Sequence, residues 1–151
     1  MARLDGRYDY GDADGSSTID GSGVLVYVLD TGIRISHEDF GGRAEEGFSS
    51  RCPTGAETEC TSNGGMWAFR GKVTDAINSQ VGGECSDHGT HCAGTVAGSW
   101  AGVAKRARVV SVGVLDCEGV GSTADLIRGI EWAVADARRR GHSTPTLSIS
   151  V

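Results

Sequence analysis

A dense cluster of reactive side chains occurs in the segment CSDHGTHCAGT at residues 85–95. Two histidines stand three residues apart, with an aspartate before the first and a cysteine after the second. Imidazole, carboxylate and thiol groups can bind a metal ion, activate a cysteine nucleophile, or supply the base of a hydrolase triad. The sequence therefore offers three chemistries, and the choice depends on which other residues reach the cluster.

Metal binding would require more ligands than the cluster offers. Cys85, His88 and His91 make the best local set, whereas zinc sites use three and usually four protein ligands. The segment lacks the glutamate and the four-residue histidine spacing of HExxH metalloproteases, and no second ligand pair is evident. We therefore predict no metal site, and we keep a metal-binding module at these three residues as a minor alternative.

A cysteine nucleophile is the second alternative. Residues 88–98 are rich in glycine and alanine and predict a short helix packed closely against a sheet, with Asp87 as its N-cap. His88 and Cys92 are four residues apart and share one face of that helix, whereas His91 is rotated away. A cysteine in such a buried helix is usually an inert small hydrophobic residue, so the sequence disfavours a Cys92–His88 dyad.

An aspartate elsewhere in the chain fits the third alternative, a hydrolase triad. The run VLVYVLD at residues 24–30 is typical of a strand buried on both faces of a parallel sheet, and Asp30 ends it. A carboxylate there either caps the next turn or lies where ligands gather, at the carboxyl ends of parallel strands. Asp30 and His88 are then the first two members of a triad in the order aspartate, histidine, serine.

Two further apolar runs and one helix complete the pattern. Residues 107–116 and 144–151 predict strands, and residues 122–141 between them predict an amphipathic helix. Ser122 and Asp125 resemble a capping box, and the three arginines at 138–140 suit a helix C-terminus better than a binding patch. Strand, helix and strand in this order predict an α/β fold with a parallel sheet. The apolar stripe of the helix consists of Leu126, Ile127, Ile130, Ala133, Val134 and Ala137.

Composition limits the kinds of partner. The chain has 151 residues, enough for one domain, and its net charge of −6 argues against a nucleic-acid surface. No stretch approaches the apolar length of a membrane span, and the N-terminus lacks the apolar core of a signal peptide. Residues 1–22 predict a surface arm, and residues 51–83 predict a long polar loop insert.

Five cysteines permit disulfide bonds without requiring them. Cys52 and Cys60 flank a polar loop, which favours a bond between them and an oxidising compartment. We expect Cys92 to be free, and the sequence leaves the pairing of Cys85 and Cys117 undecided. The expected location is therefore outside the cell or in the endomembrane lumen, with any targeting signal outside this chain.

Two long segments carry a family resemblance. VYVLDTGIRISHEDFGGRA resembles the aspartate segment of subtilisin-like serine proteases, and DHGTHCAGTVAGSWAGVAKRARVVSVGVLD resembles their histidine segment. The cysteine after HGTH and the GRA of the first segment are most similar to the proteinase K and cerevisin branch. The resemblance covers about residues 20–151 outside the insert. It implies a three-layer, doubly wound parallel sheet of the subtilisin type, truncated, with residues 1–151 as the N-terminal half of the peptidase domain.

The resemblance implies roles for individual residues. Asp30 is the triad aspartate and His88 is the general base. His91 is structural, and Cys92 is an unpaired thiol beneath the catalytic histidine.

Other matched positions imply contacts with substrate and metal. Gly119, Val120 and Gly121 match the strand that pairs with the substrate backbone, and Ser148 matches the start of the wall of the primary specificity pocket. Asp39 matches an aspartate that some subtilisins use to bind calcium, but this chain lacks the ligand loop that those sites need. We therefore expect no cofactor in this chain, and calcium only in a complete domain.

The chain lacks part of the machinery that the resemblance implies. No serine lies in the Gly-Thr-Ser-Met-Ala context of the family nucleophile, and the oxyanion asparagine is also absent. We expect a serine endopeptidase acting on polypeptides, of which this chain carries Asp30 and His88 and whose missing C-terminal half is its partner. The alternative is an inert binding remnant that uses residues 119–121. An unpaired last strand also predicts aggregation of the chain alone.

Overall fold

The structure is a computed structural model that describes residues 19–50 and 87–151. Most of the predicted surface arm, the predicted insert, and Cys52, Cys60 and Cys85 lie outside these residues. The elements are strand β1 (Leu25–Asp30), a 3₁₀ turn (Glu38–Phe40), strand β2 (Ala44–Ser49), helix α1 (Asp87–Ala97), strand β3 (Arg108–Gly113), helix α2 (Thr123–Arg139) and strand β4 (Thr146–Ile149).

The four strands form one parallel sheet in the order β2-β3-β1-β4. β1 lies between β3 and β4, and every one of its residues is buried. A strand that is covered on both faces has no position facing solvent, which explains why its sequence shows no polar alternation. Because all strands run in one direction, their carboxyl ends lie together, and Asp30 is level with Gly113 of β3.

Helices cover both faces of the sheet. Successive strand residues point to opposite faces, so Tyr27 of β1 packs in one cluster with Ala133 of α2. Its neighbour Val28 packs in the other cluster with Ala93 of α1. The predicted three-layer α/β fold with a parallel sheet is therefore confirmed.

Helix α2 begins and ends as its sequence predicts. The hydroxyl of Ser122 accepts the backbone N–H of Asp125 at 3.1 Å, and the Asp125 carboxylate accepts the N–H of Ser122 at 3.3 Å. Arg138 and Arg139 lie in the last turn. Gly141 follows with φ of 82°, the left-handed conformation that commonly closes a helix.

The element boundaries differ from the predicted ones by a few residues, and one strand was not predicted. The three predicted strands are observed in shorter form, and Asp87 lies inside α1 rather than before it. Strand β2 has the sequence AEEGFS, and glutamate and glycine are weak strand formers. It forms by pairing with β3, with an irregular register between Glu46 and Phe48. No helix in the described part of the chain is long and apolar enough to cross a membrane.

Candidate active site

Asp30 lies at the carboxyl end of the central strand β1, where parallel sheets place their ligand sites. Its side chain is completely buried. A buried carboxylate requires hydrogen-bond donors to offset the loss of hydration. One donor is the backbone N–H of Thr31, which lies 2.6 Å from Oδ1 of Asp30.

Helix α1 packs directly against the turn that follows β1. A Cβ atom on Gly89 would lie 2.1 Å from the carbonyl oxygen of Gly32, so only glycine fits at this contact. The backbone N–H of Gly89 also donates to Oγ1 of Thr31 at 3.1 Å. These contacts fix the first turn of α1, and with it His88, relative to the end of β1.

His88 and Asp30 form a close side-chain pair. Nδ1 of His88 is 2.9 Å from both carboxylate oxygens of Asp30. Because a carboxylate only accepts, Nδ1 carries the hydrogen, and a neutral imidazole then has its lone pair on Nε2. The side chain of His88 is 54% exposed and that of Asp30 is 0% exposed. The arrangement suits a general base that is oriented by a buried carboxylate.

Cys92 lies one helical turn beyond His88. Its Sγ is 4.0 Å from Nδ1 of His88, and it is a free cysteine, as predicted. Burial raises the pKa of the Cys92 thiol; a hydrogen bond with Ser150 opposes the rise, and the charge of Asp30 adds to it. A thiol that holds its proton is a poor nucleophile, so the structure also disfavours the Cys92–His88 dyad.

His91 does not join this group of side chains. It is exposed on α1, and among the described residues the group of three metal-binding side chains is Asp30, His88 and Cys92. The ligand set that the sequence suggests consists of Cys85, His88 and His91, and Cys85 lies outside the described residues. The two sets therefore share only His88.

Asp39 stabilises a loop. Its Oδ1 accepts the N–H of Trp100 at 3.0 Å, and its backbone oxygen accepts the hydroxyl of Ser99 at 2.6 Å and the guanidinium of Arg43 at 3.2 Å. Asp39 therefore joins the 3₁₀ turn to the segment at Ser99 and Trp100.

The residues predicted to pair with substrate lie in the loop between β3 and α2. Asp116 holds this loop: its Oδ1 accepts the N–H of Val120 at 2.7 Å, and its own N–H donates to the Val120 carbonyl at 2.8 Å. Gly119, Val120 and Gly121 are not a strand here, because a strand requires a second backbone to pair with. The side chain of Val120 is exposed.

A pocket of about 360 Å³ lies beside the same loop. Apolar side chains form much of its wall, which suits an apolar ligand group. The pocket is lined by Val114, Leu115, Gly119, Val120, Gly121, Ser122, Thr123, Leu126 and Val151.

Ser148 lies in β4, beside Val28 of β1. The same register pairs Leu29 with Ile149, the last residue of β4, so Ser150, which follows the strand, lies close to the level of Asp30. This position explains how the Ser150 hydroxyl contacts Cys92. Nothing in the local sequence indicates the contact, because it depends on the pairing of β4 with β1.

Cys117 is disulfide-bonded. Its partner lies outside the described residues, and so does the predicted Cys52–Cys60 bond. A disulfide is typical of proteins from oxidising compartments.

The sequence of this chain is similar to a known protein family and to several of its characterised members. A profile described as "Subtilase family" matches residues 21–143. "Subtilisin-like protease 6" of Trichophyton verrucosum is 41% identical over 124 residues, which are 82% of this chain and 24% of that protein. "Alkaline serine exoprotease A" of Vibrio alginolyticus is 37% identical over 149 residues, 99% of this chain and 23% of that protein. The chain spans about a quarter of the length of these relatives.

Solved structures have the same fold. A cold-adapted subtilisin-like serine proteinase matches with a TM-score of 0.60 and 28% identity, over 95% of this chain and 53% of that chain. The CspB protease of Clostridium perfringens matches with a TM-score of 0.64 and 21% identity, over 87% of this chain and 29% of that chain. The second match supports the fold alone.

Proposed function

This chain belongs to the subtilase family, and from that premise we propose that it forms the N-terminal half of a serine endopeptidase domain and supplies the general base. Asp30 is the triad aspartate and His88 is the base. The observation that carries the proposal is the contact of 2.9 Å between Nδ1 of His88 and both oxygens of the buried Asp30 carboxylate.

The geometry supports the two proton transfers that peptide hydrolysis needs. Asp30 holds the hydrogen of His88 on Nδ1, so Nε2 takes the proton of a serine hydroxyl as that oxygen attacks the peptide carbonyl. The carboxylate then stabilises the imidazolium that forms. Nε2 finally donates its proton to the leaving amine.

The nucleophile comes from polypeptide outside this sequence. No serine of the chain has the family context, and the matched parts are only 24% and 23% of the two relatives. The serine and the oxyanion asparagine then belong to the C-terminal half of the domain. That half packs along the outer edge of β4, which is the last strand of the described sheet on that side.

The substrate is an extended polypeptide that lies along Gly119, Val120 and Gly121. Backbone pairing there gives affinity with little side-chain preference, and the pocket of about 360 Å³ accepts an apolar side chain. Ser148 begins the wall of the primary specificity pocket. The disulfide at Cys117 favours an extracellular or lumenal location, and the net charge of −6 disfavours nucleic acid as a partner.

The test is peptide hydrolysis by the full gene product that contains these residues. Asp30→Asn should lower kcat about 10⁴-fold, because the histidine then loses the partner that holds its tautomer. KM should change little, because neither residue contributes to ground-state binding in this mechanism. His88→Ala should reduce kcat by at least as much.

His91→Ala is the matched control, because it removes an exposed histidine from the same helix. It should leave kcat within a few-fold of the wild type. Substantial hydrolysis by the His88→Ala variant would refute the assignment of the base. A serine-reactive fluorophosphonate should not label the 151-residue chain; labelling that requires His88 would show that the nucleophile is already present.

A further inference from the structure

Three different metal-binding atoms converge at the Asp30–His88 pair. The ligand atoms of Asp30, His88 and Cys92 all lie within 4.8 Å of one another. Sγ of Cys92 is 4.0 Å from Nδ1 of His88, and that nitrogen is 2.9 Å from each oxygen of Asp30. The group therefore offers one thiol, one imidazole and one carboxylate to a single point.

The distances are close to those around a zinc ion. Bonds of about 2.0–2.3 Å in a tetrahedral arrangement place the ligand atoms roughly 3.3–3.6 Å apart. Nδ1 and Sγ are now a few tenths of an ångström too far apart, and Nδ1 and the carboxylate oxygens are too close by a similar amount. All of the ligand atoms lie within 4.8 Å of one another, so binding requires the side chains of His88 and Cys92 to move closer around the ion.

The cluster is also accessible. Asp30 is fully buried and anchors the inner side, Cys92 is partly buried, and the His88 side chain is 54% exposed. An ion can therefore enter from the side of His88, and the same opening lets water complete the coordination.

We propose that Asp30, His88 and Cys92 form a binding site for Zn²⁺, and that binding there switches off His88 as a base. Thiol and imidazole ligands favour zinc over magnesium and calcium, which prefer oxygen ligands. On binding, the Cys92 thiol releases its proton to solvent. The single proton of the neutral imidazole moves from Nδ1 to Nε2, because the metal occupies Nδ1.

The tautomer change explains the inhibition. With a proton on Nε2 and a metal on Nδ1, His88 has no lone pair with which to accept the proton of an attacking hydroxyl. The proposal goes beyond the proposed protease activity, and the binding step is measurable on the full gene product in the absence of any substrate. Failure of one proposal is therefore distinguishable from failure of the other.

The experiment is a calorimetric titration of the purified full gene product with Zn²⁺, paired with an ultraviolet titration with Cd²⁺ to detect a thiolate-to-metal charge-transfer band. We expect one bound ion per chain and a band that Cys92→Ser abolishes. Loss of a second-shell partner already weakens metal sites about 10- to 100-fold, so loss of the Cys92 ligand should weaken Zn²⁺ binding by at least about 100-fold. His88→Ala should have a comparable effect.

His91→Ala is again the control, because His91 belongs to the competing ligand set but lies outside this cluster. Its affinity for Zn²⁺ should equal that of the wild type, and circular dichroism should show that all variants are folded. Unchanged Zn²⁺ affinity in Cys92→Ser would overturn the proposal, as would loss of binding in His91→Ala. Binding of Ca²⁺ as tight as that of Zn²⁺ would also contradict it.

Discussion

Tyr27 and Asp30 both place a buried polar group in β1. Their hydrogen-bond partners indicate that the two groups have different roles. The hydroxyl of Tyr27 donates to Asp136 at 2.9 Å, and the same carboxylate accepts Arg139 at 2.9 Å and Arg140 at 2.6 Å. This network links β1 to α2 and its C-terminal end. The side-chain partner of Asp30 is instead the solvent-exposed His88. For that reason we assign a catalytic role to Asp30 and a stabilising role to Tyr27.

The Tyr27 hydroxyl provides a test of the structural assignment. Burial raises the pKa of Tyr27 above its ordinary value, and the hydrogen bond to Asp136 raises it further. Tyr27→Phe should lower the free energy of unfolding by about 1–2 kcal/mol near neutral pH. The unfolded chain loses the phenolic proton above about pH 10, so there the wild type should lose about 1.4 kcal/mol per pH unit relative to the variant.

Denaturant unfolding of the full gene product, with and without the substitution, from pH 8 to 11 measures this difference. The two stabilities should converge as the pH rises. A difference that stays constant across the range would contradict a protected neutral hydroxyl at Tyr27.

At the scale of elements, close packing of α1 on the turn after β1 determines the site geometry. Glycine- and alanine-rich sequence predicted this close approach in general terms, but the particular contact between Gly89 and Gly32 is tertiary and was not predicted. The same limit applies to β2, whose weak local propensity is overcome by pairing with β3. Elements with strong local signals, such as the capping box and stripe of α2, were predicted most fully.

Two glycines of α1 make a matched pair of substitutions. Gly89→Ala should cost about 1–3 kcal/mol, because its Cβ would lie 2.1 Å from the Gly32 carbonyl oxygen. Gly94→Ala places its Cβ in open space and should stabilise α1 by up to about 1 kcal/mol. Thermal unfolding of the two variants measures both effects.

The two substitutions also distinguish the effect of packing at Gly89 from the general effect of alanine on helix stability. Gly89→Ala should also displace His88 from Asp30 and reduce hydrolysis by the full gene product, whereas Gly94→Ala should retain it. Equal effects of the two substitutions on stability would contradict the proposed contact between α1 and the turn.

At the scale of the whole molecule, the sequence predicted the fold class and the proximity of Asp30 to His88. These two features were predictable because they depend on the direction of the strands and on the family motifs in the sequence. The sheet order and the position of Ser150 were not predicted, because they depend on which strands pair. The resulting sheet leaves β4 with one strand partner among the described residues. Ile149 of β4 and Val151 have exposed apolar side chains, and so has Val120, which lines one pocket with Val151.

The β4 edge predicts the behaviour of the isolated chain. Unpaired backbone groups beside exposed apolar side chains favour association between copies, so the 151-residue chain should aggregate or unfold with low cooperativity. Analytical ultracentrifugation and thermal unfolding measure these properties. A monomer that melts in one sharp two-state transition would contradict this prediction.

The central claim is that Asp30 holds the hydrogen of His88 on Nδ1 and leaves Nε2 as the base. Nitrogen-15 nuclear magnetic resonance of the full gene product, at a pH where the imidazole is neutral, measures this directly. We predict that His88 bears its hydrogen on Nδ1, and that Asp30→Asn shifts the population towards Nε2. A wild-type His88 with its hydrogen on Nε2 would contradict the account.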